Sequence, residues 1–557
     1  MGMTNNTLNK QDTQKKILIA TIISFAFFIG YDFLYLQPQQ QKIEQEKKEQ
    51  LAKEQASKTI EANGTTAPMV ANTVETALTN NQDANAAPVV QINDSNEIIS
   101  TIKTKTTKIE IDSLGRIAQI TLTTNRYQDE EHQAIKLFTP TQLRPLEVRF
   151  MDVALNNEAF KVKVEESSKE LDASNGAVKL TLTQKLQTTT LTKNLTIYPD
   201  GNYDLDVATT TKQNYFITPG FRPNVLVDAY ADHGALLIKN DGTLNIVEDE
   251  DLDKNSDFVG IHAVSAFDRY YATVLYNFDK NLQVTLMNDN TSSPQAFIHV
   301  MNSANLHGYV GPKEYKTLEA LDTRLTGVIE YGWFTFIAKP MFAMLEYIYS
   351  YVGNWGWTIV ILTILVKLIL LPLSHKGMVS MNRLKELAPK IKAIQEKYSD
   401  DKQKASMHMM ELYKKEGANP MGGCLPIILQ IPVFFAIYRV LINAIELKGS
   451  GWILWIDDLS VMDPYFILPI LMGATMYIQQ KITPMQVQDE MQAKIFQWLP
   501  VVFTVFFLWF PAGLTLYWFI NNLVTVSQQY YVNKLFQKEK ALRHEEHLAA
   551  KHHTKEK

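Results

Sequence analysis

The sequence predicts a membrane protein with six transmembrane α-helices and a large antiparallel β-sandwich between the first helix and the second. Three observations predict it. Strongly apolar runs occur near the N-terminus and again after Trp333, and nowhere between. The region between them is polar, rich in Asn, Thr and Lys, and alternates as strands do. Charge divides along the same line: residues 17–330 hold 28 basic and 41 acidic side chains, a net −13, while the remainder carries +8 toward the total of −5. Lys and Arg gather in short loops on the cytoplasmic side of membranes, so the basic portions belong inside and the acidic portion outside. With 557 residues the chain has room for several domains. Its one cysteine, Cys424, excludes an internal disulfide framework and any multi-cysteine metal site.

Residues 1–36 form a cytoplasmic N-terminus and a first transmembrane anchor. Ile17 to Leu36 is apolar and follows Lys10, Lys15 and Lys16; it is longer than a signal-peptide core and lacks a small-residue cleavage site, so it reads as uncleaved. Residues 37–98 are Gln/Glu/Lys-rich and then Ala/Asn/Thr-rich with almost no aromatics, the composition of a disordered tether. Residues 99–325 carry the strand signals. Ile109 and Ile111 alternate with Lys108, Glu110 and Asp112, and Val178, Leu180 and Leu182 alternate with Lys179 and Thr181. Pro199-Asp200-Gly201 is a turn before the run Tyr203, Leu205, Val207.

Residues 326–354 contain an aromatic stretch interrupted by Lys339, Pro340 and Glu346, suited to a helix lying in the outer interface. The remaining spans run from Trp355 to Ser374 (residues 355–375), then, within 421–532, from Cys424 to Ile445, Pro464 to Gln480, Ile495 to Phe510 and Gly513 to Val532. Loop charges support this alternation: residues 376–418 hold ten Lys/Arg and six acids, whereas 446–463 hold one Lys and four acids. Phe510-Pro511-Ala512-Gly513 makes a tight outer hairpin, so both termini are cytoplasmic. In the basic segment 376–420, Leu384, Leu387, Ile391, Ile394 and Tyr398 are spaced 3, 4, 3, 4, a coiled-coil seam. Ser399 is the expected N-cap of a second helix, giving an antiparallel hairpin with Pro389 inside its first arm. Residues 533–557 form a basic tail.

No phosphate loop, HExxH or GxSxG motif is present, and His544-Glu545-Glu546-His547 reads as part of a solvated end, so neither an enzyme nor a metal or other cofactor is expected. The informative residue is Lys367. A central Lys costs about 2.5–3.5 kcal/mol to insert, and the eleven Ile, Leu and Val residues between Ile359 and Leu371 return roughly 3.3–6.6 kcal/mol, so the segment still spans. Snorkelling would need to reach Ser374, seven residues or about 10 Å away. No acid lies in any expected span apart from Asp32. A water-filled cavity is the remaining account. Thr363, one turn before Lys367, and Gln430, Asn521 and Asn522 are further cavity candidates, although each could bond a neighbouring helix instead. Arg439 and Asn443 read as interface anchors.

The segments Asn419-Pro420-Met421-Gly422-Gly423-Cys424-Leu425-Pro426, Gln430-Ile431-Pro432, Leu454-Trp455-Ile456-Asp457-Asp458-Leu459, Asp463-Pro464-Tyr465, Leu468-Pro469-Ile470-Leu471-Met472-Gly473 and Leu508-Trp509-Phe510-Pro511-Ala512-Gly513-Leu514 closely resemble the YidC membrane protein insertase family. The resemblance covers the whole chain, including the large periplasmic domain of Gram-negative members. It implies a five-helix insertase core plus the N-terminal anchor, a periplasmic β-supersandwich, and a hydrophilic groove open to cytoplasm and lipid. It puts Lys367 where the family usually has Arg, which keeps the charge and loses the planar fork. It puts Tyr517 and Trp518 against client, and Ile427 to Ile437 and Val501 to Leu508 on a client-contacting slide, where lipid-facing packing is an equally good account.

The implied activity is insertion and folding of integral membrane proteins in the bacterial inner membrane, alone or with the Sec translocon. The implied partners are nascent membrane proteins, Sec components, the ribosome, signal-recognition targeting machinery and membrane lipid, with ribosomal RNA touched only through the basic tail and loop. Two rivals remain. A solute transporter would show inverted repeats, and none is visible; a periplasmic sugar-active enzyme on an anchor would leave five apolar spans unexplained.

Overall fold

The computed structural model describes residues 97–124, 126–128, 133–223, 232–288, 293–416, 425–483 and 490–555. The expected anchor, most of the tether, and Cys424 lie outside them. The described residues divide into two compact units between Glu330 and Tyr331.

The first unit is built on two sheets. Ile98–Lys103, Thr107–Asp112 and Ile117–Leu122 form an antiparallel meander, and Glu170–Asp172 adds in parallel at the edge. The second sheet has thirteen strands. Its order is Val148–Phe150, Asn214–Ile217, Pro294–Met301, Leu282–Asn288, Ser256–Phe267, Tyr271–Tyr276, Ser303–Pro312, Tyr203–Thr209, Thr190–Ile197, Val178–Lys185, Glu165–Glu166, with Gly234–Lys239 and Leu244–Glu248 branching from Ser256–Phe267. The branch has a local cause. The first part of Ser256–Phe267 pairs with Leu282–Asn288 and the second lies between Gly234–Lys239 and Tyr271–Tyr276. The register shifts around Gly260, whose φ of +71° suits glycine and bends the strand as a bulge does. Two short helices, α1 (Val153–Ala159) and α2 (Tyr315–Leu321), complete the unit.

Alternation sets the burial. Leu180, Leu182, Leu191, Leu195, Leu205 and Val207 face the core, while Thr181, Asn194 and Asp206 form a polar row on the other face. Buried charges join the two sheets. Arg116 contacts Asp112 at 2.7 Å and Glu147 at 2.9 Å, and Arg144 reaches Asp112 at 2.6 Å. Lys193 donates to the carbonyls of Gly115 and Leu146 at 2.9 and 2.8 Å. Breaking such a pair strands a buried charge, so the cluster fixes the geometry more than it adds net stability. Asp268 is buried elsewhere in the unit, accepting the backbone N–H groups of Tyr270 and Tyr271, and desolvation pushes its carboxyl up to about 6.

The second unit is helical: α3 (Thr335–Val352), α4 (Trp355–Lys397), α5 (Lys402–Lys415), α6 (Leu425–Asn443), α7 (Ile467–Ile482), α8 (Glu490–Phe506) and α9 (Ala512–Lys555). In α3, Ala338, Met341, Phe342, Leu345 and Ile348 form the buried face, and Phe336, Tyr347 and Tyr351 are exposed opposite. It ends at Gly353, in the left-handed region, whose N–H caps the Tyr349 carbonyl. Asn354 then caps α4, accepting the Trp357 N–H at 3.0 Å.

One helix cap differs from the sequence expectation, and two of the expected spans lie within longer helices. The span expected from Trp355 to Ser374 lies within α4, one unbroken helix of 43 residues that runs on to Lys397 through Pro372 and Pro389. Proline removes one hydrogen bond and adds a clash, and with no competing turn signal nearby the flanking helix carries through. The hairpin's second arm is capped by Asp401, which accepts the Lys404 N–H at 3.0 Å, instead of by Ser399. Asp401 N–H bonds the Tyr398 carbonyl, which places Ser399 and Asp400 in the turn. The expected span Gly513 to Val532 lies within α9, which runs on into the tail.

Among the described residues one helix, Trp355–Lys397, is long and apolar enough by itself to cross a membrane; 430–443 and 496–509 are shorter apolar helical segments.

Candidate functional site

The site is built where α4, α6 and α9 meet. Lys367 lies mid-way along the apolar part of α4, half-buried, and Leu368 and Ile369 beside it are exposed. Its ammonium donates to Thr525 Oγ1 on α9 at 2.9 Å and to Gln430 Oε1 on α6 at 3.4 Å. Gln430 passes its own Nε2–H to Asn521 Oδ1 at 3.2 Å, and the Thr525 hydroxyl donates back to the Asn521 carbonyl at 2.6 Å. An ammonium has three donors. Two are taken by neutral oxygens, and among the described residues no carboxylate pairs with the third. Among the described residues the charge is thus oriented without being neutralised.

Lys367, Gln430 and Asn521 come together as one network. Thr363 does not join it: its buried hydroxyl donates to the Ile359 carbonyl of its own helix at 2.7 Å. Asn522 is buried beside Asn521 in sequence but on another face, and its Nδ2 has no hydrogen-bond partner among the described residues. Tyr517 is buried. Trp518 stands in an aromatic cluster, with ring centroids 4.6 Å from Phe434 on α6, 5.8 Å from Phe503 on α8 and 5.1 Å from Phe507. Asn443, read as an interface anchor, is buried.

Thr525 is the residue that sequence reasoning missed. The available signal was its place one turn after Asn521, on the same helical face. The polar seam continues: Gln528 donates to Ser374 Oγ at 2.6 Å, and Asn382 donates to Asn533 Oδ1 at 2.9 Å. Elsewhere on this unit Ile431 and Phe435 on α6 and Val501, Val502 and Val505 on α8 expose apolar side chains. In the hairpin, Leu387 and Ile391 bury against Met409, Leu412 and Tyr413, and Lys390 pairs with Glu416 at 2.7 Å.

Known proteins resemble this chain over nearly its whole length. The family model of the 60Kd inner membrane protein matches residues 347–540, and that of the YidC periplasmic domain matches 239–344. The membrane protein insertase YidC of Campylobacter jejuni is 50% identical over 536 residues, covering 96% of this chain and 98% of that protein. The membrane protein insertase YidC of Wolinella succinogenes is 45% identical over 537 residues, covering 96% and 97%. A solved structure described as an active YidC insertase with its first transmembrane domain resolved is 19% identical, covers 78% of this chain and 95% of its own, and superposes with a TM-score of 0.34. With identity this high across both whole chains, the protein belongs to the YidC family of membrane protein insertases.

Proposed function

We propose that this protein inserts and folds integral membrane proteins in the bacterial inner membrane, as an energy-independent insertase and membrane chaperone. The observation that carries the mechanism is Lys367, held in place by Thr525 and Gln430, with no carboxylate paired to it among the described residues. A short polar client segment must cross about 30 Å of hydrocarbon. A hydrated, positively charged groove shortens the dry path and attracts acidic client residues; the apolar client helix then leaves over the exposed residues of α6 and α8 into lipid. No covalent bond is made or broken.

The six-span layout belongs to this proposal: the anchor at residues 17–36, then α4, α6, α7, α8 and α9. At 1.5 Å per residue the 19, 16 and 17 residues of α6, α7 and α8 reach about 28, 24 and 25 Å, close to the hydrocarbon thickness. Both termini and the hairpin are then cytoplasmic and the sandwich periplasmic. A membrane-impermeant thiol reagent should label Cys424 from the cytoplasmic side only; labelling from the periplasm of intact cells overturns this layout. The Sec translocon, the ribosome and signal-recognition factors are the proposed partners, met through the hairpin and basic tail. Reconstitution into pure lipid vesicles with a small coat-protein client tests the function: insertion without nucleotide supports it, and solute flux without insertion would favour a transporter.

A further inference from the structure

Asn533 joins three helices through one side chain. Its Oδ1 accepts from Asn382 Nδ2 of α4 at 2.9 Å and from Gln529 Nε2, one turn earlier on α9, at 2.7 Å. Its Nδ2 donates to the carbonyl of Ile482 at 3.1 Å, in the last turn of α7. That carbonyl is among those a helix end leaves without an internal partner. Asn382 and Gln529 are themselves buried. One amide therefore ties α4, α7 and α9 at a single point, with both acceptor lone pairs of its oxygen used. Thr525 precedes it by two turns on the same helix, about 12 Å along the axis, and Lys367 is on the helix that Asn382 anchors. Among the described residues, none of helix α6, which supplies Gln430, bonds to this node.

We infer that Asn533 is a positioning residue for the groove: by fixing α4 to α9 and α7, it holds Lys367 against Thr525 while α6 is left to move as a client enters. The inference rests on the groove reading, and its first readout is independent of insertion. In a Cys424→Ser background, spin labels at Lys385→Cys on α4 and Gln537→Cys on α9, both exposed, report the separation of the two helices in lipid nanodiscs. Asn533→Leu should broaden or lengthen the distance distribution; an unchanged distribution overturns the inference whatever insertion does. The second readout is insertion of a client with an acidic translocated segment. Loss of a few neutral hydrogen bonds should lower the rate between about twofold and tenfold, and the loss should disappear in a Lys367→Gln background, since Asn533 acts through Lys367. Losses that multiply independently in the double variant reduce Asn533 to a general stabiliser and overturn the assignment. If Asn533→Leu does not accumulate, Asn382→Ala and Gln529→Ala each remove one arm of the node. Both must then shift the distance distribution in the same direction, and failure of either to do so contradicts the inference.

Discussion

Removing the Thr525 hydroxyl asks whether the Lys367 site is wet. The Lys367–Thr525 contact, at 2.9 Å, is a charge-assisted hydrogen bond, and the second contact, to Gln430, is long at 3.4 Å. In a dry helix interface Thr525→Val would forfeit most of such a bond, about 1.5–3 kcal/mol, and leave a buried ammonium short of acceptors. In a hydrated groove a water takes the vacated place, and the loss falls below about 1 kcal/mol. The groove account predicts the smaller figure. It also predicts that Lys367→Met changes stability little, because a solvated charge has no large desolvation cost to relieve. The assay is reversible unfolding in lipid–detergent bicelles for wild type, Thr525→Val, Thr525→Ser and Lys367→Met, with Thr525→Ser near wild type. A 2–3 kcal/mol loss in Thr525→Val, together with Lys367→Met more stable than wild type, would refute the hydrated groove and mark Lys367 as a charge trapped between helices.

Three further outcomes follow from particular contacts. Asp268 has a folded value of about 6 against an ordinary 3.8, so between those values the folded state holds more protons and stability falls as pH rises. The difference is worth about 3 kcal/mol by pH 7, and Asp268→Asn should recover about 1–3 kcal/mol of it at pH 7 and little at pH 4; pH-dependent unfolding of the sandwich checks this, and a variant less stable at pH 7 contradicts it. Gly473 on α7 leaves no space for a side chain, since a Cβ there would meet Thr504 Oγ1 of α8 at 1.9 Å, and that hydroxyl is held by the Pro500 carbonyl at 2.7 Å. Gly473→Ala should destabilise by about 1–3 kcal/mol, read as a lower melting temperature in nanodiscs, whereas an unchanged one would mean the two helices can part freely. Deleting the hairpin from about Lys385 to Ala418, which leaves Asn382 and its bond to Asn533 in place, should spare folding and impair insertion; undiminished insertion by a stably expressed deletion reduces it to a connector.

Sequence patterns were most readable where a rule is local. Strands with one solvated face, such as Val178–Lys185, alternate plainly, whereas Tyr271–Tyr276 is buried throughout and Gly234–Lys239 is buried as far as Ile238, and neither shows alternation. The order of thirteen strands is a matter of long-range pairing, which no local pattern encodes. Lys367 stood out because hydropathy makes it costly, and Gln430 and Asn521 because they interrupt apolar runs. Their meeting is a product of packing among α4, α6 and α9. Thr363 misled because a helical threonine can satisfy itself on the preceding turn, as its bond to the Ile359 carbonyl does. Thr525 makes the same kind of backward bond, to Asn521, and still accepts from Lys367; spacing alone cannot separate the two. Ser399 and Asp401 are both good caps by composition, and the turn at Tyr398 decides between them.

The central claim is that a positive charge at residue 367, in water, attracts the acidic residues of a client's translocated segment. The direct measurement is the insertion rate of one client in two forms, with acidic and with neutralised segments, by Lys367→Arg, Lys367→Gln and Lys367→Glu at equal protein levels. The account predicts that Lys367→Arg keeps activity, that Lys367→Gln slows the acidic client and Lys367→Glu slows it more, and that the neutralised client depends far less on residue 367. Equal insertion of the acidic client by wild type, Lys367→Gln and Lys367→Glu would contradict it and leave Lys367 a side chain that only snorkels.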